Sequence, residues 1–164
     1  MELGARYGSV SCVINTILHN NKNHVVVEPD ERVWDALEKN KKTNNCEFNI
    51  VKGFISNKKL KLTGLSTHSG YGTTSEEDSS SKISSYTLDE IKQKYKITFN
   101  VLVADCEGCL EQFFDENNGV YDDLRLVMFE ADYDNKCNYD KIKTNLANKG
   151  FKNIIEGHQN VWKK

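Results

Sequence analysis

The residues best suited to chemistry in this chain are acids that close apolar runs. His24-Val25-Val26-Val27-Glu28, Phe99-Asn100-Val101-Leu102-Val103-Ala104-Asp105 and Leu124-Arg125-Leu126-Val127-Met128-Phe129-Glu130 each end in one. If the runs are parallel strands, Glu28, Asp105 and Glu130 line the mouth where such sheets bind ligands. Upstream, Glu2-Leu3-Gly4-Ala5-Arg6-Tyr7-Gly8 sets an acid and two glycines before a helical pattern. Glycine lacks a Cβ, so backbone N–H groups can come close to a ligand there. The spacing is neither G-x-G-x-x-G nor a P-loop, and a purely structural turn also accounts for the glycines. Glu28 follows them by about twenty residues, the separation at which a strand-end acid accepts hydrogen bonds from both hydroxyls of a ribose. By itself it also fits a solvated helix-start acid. Cys106-Glu107-Gly108-Cys109 is a C-x-x-C that fits a redox pair at a helix start or half of a zinc site, with Cys137 and His158 as the distant partners. Accidental spacing is the expectation for it.

The elements that would position these groups follow from periodicity. Val10, Val13, Ile14, Ile17 and Leu18 recur at helical intervals after the glycine turn. The three valines before Glu28 give a short buried strand, which Pro29 ends, and Asp30 caps a helix running to about Lys42. A third strand lies within 46–55, and 58–65 pairs as another short strand. Residues 66–85 are mostly Ser, Thr, Gly, Glu and Asp, which predicts a polar exposed loop inside one domain, 1–164. Thr87 and Glu90 form a capping box for a helix ending near Lys96. Strands ending at Asp105 and Glu130 follow, separated by a helix with Leu110, Phe113 and Phe114. A helix over 138–148 and two short strands about Gly157 complete the chain. The alternation predicts an α/β fold with a mainly parallel sheet.

Taken in order, the motifs resemble the FkbM-type S-adenosylmethionine-dependent methyltransferases. That family shows an acid-x-Gly-Ala-x-x-Gly element, a strand ending Glu-Pro, a Thr-Leu-Asp segment, an Asp-x-Glu-Gly element and a strand ending in an acid. The counterparts are Glu2 to Gly8, Val27-Glu28-Pro29, Thr87-Leu88-Asp89, Asp105-Cys106-Glu107-Gly108 and Phe129-Glu130. The resemblance spans nearly the whole chain and implies a Rossmann-like class I methyltransferase sheet, mostly parallel with a C-terminal antiparallel strand. It implies that Gly4, Ala5 and Gly8 cradle the methionine end of S-adenosyl-L-methionine, that Glu2 faces its amino-acid end and that Glu28, followed by Pro29, holds the ribose. Asp105 would contact the cofactor or orient the acceptor hydroxyl as the catalytic group. Glu107, which with Gly108 shapes the next helix start, and Glu130 would border the acceptor. No metal is expected. Two departures stand out. Val103 occupies the place two before Asp105 where many members carry Lys, and only Met1 precedes Glu2 where the first strand should run. The sheet is therefore expected to lack its first strand, as in the truncated remainder of a longer protein.

Composition narrows the function classes. Twenty-two Lys and Arg against twenty-four Asp and Glu leave a formal charge of −2, so there is no global basic field for a nucleic-acid backbone. Apolar runs are far shorter than the roughly 20 residues a membrane helix needs, and no signal pattern opens the chain. Five scattered cysteines suggest no disulfide framework, which fits a reducing, cytoplasmic setting. The leading expectation is an O-methyltransferase acting on a small-molecule or carbohydrate hydroxyl. The alternatives are a degenerate, non-catalytic methyltransferase-like binding module and a thiol-redox protein using Cys106 and Cys109.

Overall fold

The computed structural model describes residues 1–64 and 72–164. The chain opens with β1 (Glu2–Leu3), α1 (Ser9–Ile17), β2 (Val25–Glu28), α2 (Trp34–Thr43) and β3 (Asn49–Lys52). Short strands β4 (Phe54–Ile55), β5 (Leu60–Thr63), β6 (Thr74–Glu77) and β7 (Ser85–Tyr86) lead to α3 (Leu88–Tyr95). The second half contains β8 (Val101–Ala104), α4 (Leu110–Glu116), α5 (Val120–Asp123), β9 (Leu126–Glu130), α6 (Tyr139–Asn148), β10 (Lys152–Ile155) and β11 (Gln159–Lys163). Seven strands form one sheet in the order β10-β11-β9-β8-β1-β2-β3. Neighbours from β9 to β3 pair in parallel, and β11 runs antiparallel to both β9 and β10.

Strand alternation divides the core between the two faces. Leu3, Val25, Val27, Val51, Leu102, Ala104, Val127 and Phe129 pack on one face with Leu88 and Ile91 of α3, Phe113 and Phe114 of α4, and Ile142 and Leu146 of α6. Val26 packs on the other with Ala5, Cys12, Leu37 and Phe48. Parallel strands covered on both faces read as continuous apolar runs, and for that reason the β2 and β8 segments are legible in the sequence. The capping box is present: the Thr87 hydroxyl accepts from Glu90 N–H at 3.1 Å, and the Glu90 carboxylate accepts from Thr87 N–H at 2.7 Å.

Three expectations are corrected here. The sheet does not lack its first strand, because Glu2–Leu3 fill the central place between β2 and β8. Flanking hydrogen bonds lengthen that stub: the Met1 amine donates to Val101 O at 2.8 Å, Val103 N to Met1 O at 3.0 Å and Asp105 N to Leu3 O at 3.0 Å. Strands β2 and β8 thus keep their shared neighbour. Second, 66–85 is not wholly loop. Residues 65–71 lie outside the described ones, but Thr74–Glu77 pairs antiparallel with β5 and Ser85–Tyr86 pairs with β4. Strand β6 is polar, but it faces a β5 in which leucines and polar residues alternate: Thr74 and Glu76 meet Thr63 and Lys61, while Ser75 and Glu77 meet Leu62 and Leu60. The Thr63 and Thr74 hydroxyls lie 2.8 Å apart, and Lys61 Nζ lies 3.0 Å from Glu76. Third, α1 forms where expected but turns its apolar stripe outward. Val10, Val13 and Ile17 are 55%, 65% and 77% exposed, while Ser11, Cys12 and Asn15 are buried. The tight turn after β1 sets the helix phase, and Asn15 explains its own inward position. Its Nδ2 donates to Asn21 O at 2.8 Å, and its Oδ1 accepts from Glu47 N–H at 2.8 Å.

Candidate active site

Chain order runs outward from β1 to β2 and β3, then crosses back to β8 and β9, so the direction of winding reverses between β1 and β8. Ligands bind at such a reversal, outside the carboxyl ends of the strands. A cavity of about 280 Å³ lies there, close to the lower end of the about 300–1,000 Å³ common for small-molecule sites. Glu2, Gly4, Ala5, Glu28, Pro29, Asp105 and Glu107 border it, as does Val103. The fold thus brings most of the residues singled out in the sequence to the rim of one cavity. Two expected members do not line it. Gly8 stands behind the turn against Leu37, and Glu130 lies beside Asp105 on the neighbouring strand.

The floor depends on a missing side chain. Gly4 has φ +82°, and a Cβ there would sit 1.8 Å from Asp105 O and 3.2 Å from Cys106 Cα. Only glycine lets the loop after β1 lie flat on the loop after β8. Gly4 and Ala5 N–H both donate to Val27 O at 3.1 Å, which ties this turn to the end of β2.

Glu28 sits in the wall, 4% exposed. Its Oε2 accepts from Arg6 N–H at 2.6 Å and its Oε1 from Asp30 N–H at 2.8 Å. Burial raises its pKa, and those two N–H bonds work against that rise. Each carboxylate oxygen keeps a further lone pair for a ligand hydroxyl. Trp34 Nε1 donates to Glu28 O at 2.8 Å, and Asp30 is fixed by Arg32, whose Nη2 lies 2.7 Å away. Glu2 differs: its Oε2 lies 3.3 Å from His24 Nε2, and both side chains are almost wholly enclosed. Its carboxylate is turned under α1, although the residue itself borders the cavity.

Opposite Glu28, four acids converge. Partial burial of the Asp105 carboxyl, contact with Glu130 and repulsion from Glu130, Glu107 and Asp132 push Asp105 up to about 7. Burial and Glu107 push Asp132 up to about 6. Glu130 is also paired with His158 and accepts from Gln159 Nε2 at 2.9 Å. Glu107 Oε1 accepts from Gly72 N–H at 3.1 Å. A strand-end carboxyl that titrates near neutrality can take a proton from a hydroxyl held beside it.

The apolar part of the wall was not anticipated. Phe54, Ile55, Leu60, Leu62 and Phe113 line it. Phe54 and Ile55 follow the third strand, where a ligand-facing segment could have been inferred from topology, but nothing local marks the hairpin residues Leu60 and Leu62. Ser56 anchors this wall to α4: its Oγ donates to Glu116 Oε1 at 3.0 Å and accepts from Gln112 Nε2 at 3.1 Å.

The C-x-x-C is also corrected. Cys106 and Cys109 form a disulfide, while Cys12, Cys46 and Cys137 are buried free thiols. Spacing alone could not settle this, since bonding requires the two Cα atoms to approach, here to 5.4 Å. Zinc is not available to a bonded pair, and His158 is engaged by Glu130. Among the described residues, no cluster of His, Cys, Asp and Glu is arranged to hold a metal ion, and no helix is long and apolar enough to cross a membrane.

No family model and no curated protein matches the sequence. Solved structures do match the fold. A precorrin-6y C5,15-methyltransferase from Geobacter metallireducens GS-15 superposes with a TM-score of 0.58 at 14% identity, covering 98% of this chain and 74% of that one. Sp1610 of Streptococcus pneumoniae, assigned as a tRNA (m1A22) methyltransferase, gives 0.54 at 10% identity, covering 99% of this chain and 61% of that one. The α/β architecture, a mostly parallel seven-stranded sheet with antiparallel strands at its C-terminal edge, is thus shared with these two methyltransferase structures.

Proposed function

We propose that this chain binds S-adenosylmethionine in the cleft between β1 and β8 and methylates a hydroxyl of a small-molecule or carbohydrate acceptor, in the manner of the FkbM-type enzymes its motifs resemble. One observation carries the reading. Glu28 is a buried carboxylate at the end of β2, pre-oriented by Arg6 and Asp30 N–H, and it borders the same cavity as the Gly4 turn and Asp105. That arrangement fits a ribose diol on Glu28, an amino-acid end along Gly4 and Ala5, and a flat base against Phe54 and Leu62. S-adenosylmethionine, when bound, supplies an electrophilic methyl group. The chain's own residues do the rest. Glu28 and the glycine turn fix the cofactor's position, and the apolar wall excludes water. Asp105, at the opposite lip, orients the acceptor hydroxyl and accepts its proton, a role suited to a carboxyl held near neutral pKa.

A non-catalytic binding module is the second reading, favoured by Val103, which sets an apolar side chain at the lip where many FkbM-type members carry Lys. Calorimetry with S-adenosylhomocysteine, followed by radiolabelled methyl transfer to a panel of polyols and glycosides, decides between them. Binding with transfer supports the enzyme, binding without transfer supports the module, and no binding refutes both.

A further inference from the structure

The Cys106–Cys109 disulfide has no part in methyl transfer as described above, yet it lies in the wall of the cleft. Both cysteines border the cavity and both are partly accessible. Cys106 Cα stands against Gly4, and Cys109 directly precedes α4. The two bridged residues have unusual backbones: Glu107 has φ +54° and Gly108 φ +91°. For glycine this is ordinary, but for glutamate the left-handed region is strained, because its Cβ crowds the following carbonyl oxygen. Gly108 is also crowded, since a Cβ there would lie 3.0 Å from Lys136 Cβ and 3.3 Å from Tyr133 Cβ. Glu107, held in this conformation, reaches Gly72 N–H and joins Asp105 and Asp132.

We infer that Cys106–Cys109 is a reversible dithiol–disulfide switch that sets the shape of the cleft by holding Glu107 in place. Oxidised, the bridge closes the 106–109 turn and keeps the Glu107 carboxylate on Gly72 N–H. Reduced, the turn loses its covalent tie, Glu107 relaxes out of the left-handed region, and its bond to Gly72 and its contact with Asp132 are released. The electron donor is a dithiol. Its thiolate attacks one sulfur of the bridge, the Cys106–Cys109 bond breaks as a mixed disulfide forms, and the donor's second thiol then displaces the protein sulfur. Two electrons pass to the protein, two protons end on the Cys106 and Cys109 sulfurs, and the donor leaves as its own disulfide. The other cysteines do not compete. Burial pushes the Cys12 thiol up to about 12 and Cys137 up to about 11, and Cys46 is buried as well.

The native protein is poised in mixtures of reduced and oxidised dithiothreitol, alkylated with iodoacetamide while folded, and read by mass. The expected result is no label on the oxidised form and two labels on the reduced form, at Cys106 and Cys109. Hydrogen exchange on the same samples should speed up at Gly72 and across 106–109 on reduction, with β8 and β9 unchanged. The Cys106→Ser/Cys109→Ser double variant should show the reduced pattern with or without dithiol; if it does not fold, the wild-type measurements decide the matter. A bridge that resists reduction until the chain unfolds, or equal exchange at Gly72 in both forms, overturns the inference. Its consequence for the cofactor rests on the function proposed above: reduction should weaken S-adenosylhomocysteine binding at least about threefold. Failure of both forms to bind would sink that function while leaving the labelling and exchange results to judge the switch.

Discussion

Truncating Glu28 to Ala tests the ribose assignment most directly, because the residue holds both the proposed ligand and its own loop. In the structure Glu28 is 4% exposed, and its two oxygens accept from Arg6 N–H at 2.6 Å and Asp30 N–H at 2.8 Å. Removing two charge-assisted bonds to ribose should weaken cofactor binding by about 2–4 kcal/mol, or about 30- to 1,000-fold in Kd. The same change leaves two backbone donors without acceptors. Water can reach them from the cleft, so each should cost about 1–2 kcal/mol, at the lower end of the range for orphaned groups. Relief of Glu28's own desolvation, which raises its pKa, offsets part of this. Tm should then fall by up to about 4–16 °C at about 2–4 °C per kcal/mol. Calorimetry with S-adenosylhomocysteine and differential scanning fluorimetry read the two effects separately. Adenosine against 2′,3′-dideoxyadenosine isolates the diol: the native protein should prefer adenosine, and the variant should not distinguish them. A variant that keeps that preference, or binds S-adenosylhomocysteine as tightly as the native chain, refutes the assignment whatever happens to Tm.

Asp105→Asn should lower methyl-transfer turnover at least about 100-fold with little change in cofactor Kd. Native turnover should rise as pH passes through about 7, where Asp105 ionises, and the residual activity of the variant should lack that rise. Because burial and neighbouring acids raise Asp105 to about 7 and Asp132 to about 6, these two carboxyls hold more protons in the folded chain than in the unfolded one between about pH 4 and pH 7, while the Met1 amine, lowered by burial to about 5, holds fewer between about pH 5 and pH 8. Stability should therefore climb as pH falls from about 6 towards 5, where the two carboxyls outweigh the amine, and Glu130→Gln should flatten that slope; a Tm that drops over this interval would contradict the acid cluster. Gly4→Ala places a Cβ 1.8 Å from Asp105 O, so the β1 and β8 loops must separate; soluble yield and cofactor binding should both collapse, and native-like binding would show that the loops do not pack as described.

How much of this was legible in the sequence depended on the range of the interactions involved. The chain alone established the alternation of strands and helices and the strand-end places of Glu28, Asp105 and Glu130, since buried parallel strands and capped helices leave local patterns. It also marked the Gly4 turn, where the need for a missing Cβ is written in the residue type. Tertiary structure decided what lies far apart in the chain. A two-residue β1 holds the centre of the sheet because its partners, β2 and β8, satisfy its backbone from both sides. Residues 74–77 are strand and not loop because β5 completes their backbone ladder and sets Thr63 and Lys61 against Thr74 and Glu76. The outward apolar stripe of α1 could not be read from periodicity, which reports that a helix is amphipathic but not which face the preceding turn points at the sheet. The same holds at the site. Only the fold could turn the Glu2 carboxylate towards His24, crowd four acids at the lip until two of them titrate near neutrality, and bring Cys106 to Cys109. Charges and thiols act through distance and burial, and neither quantity exists until the chain has folded.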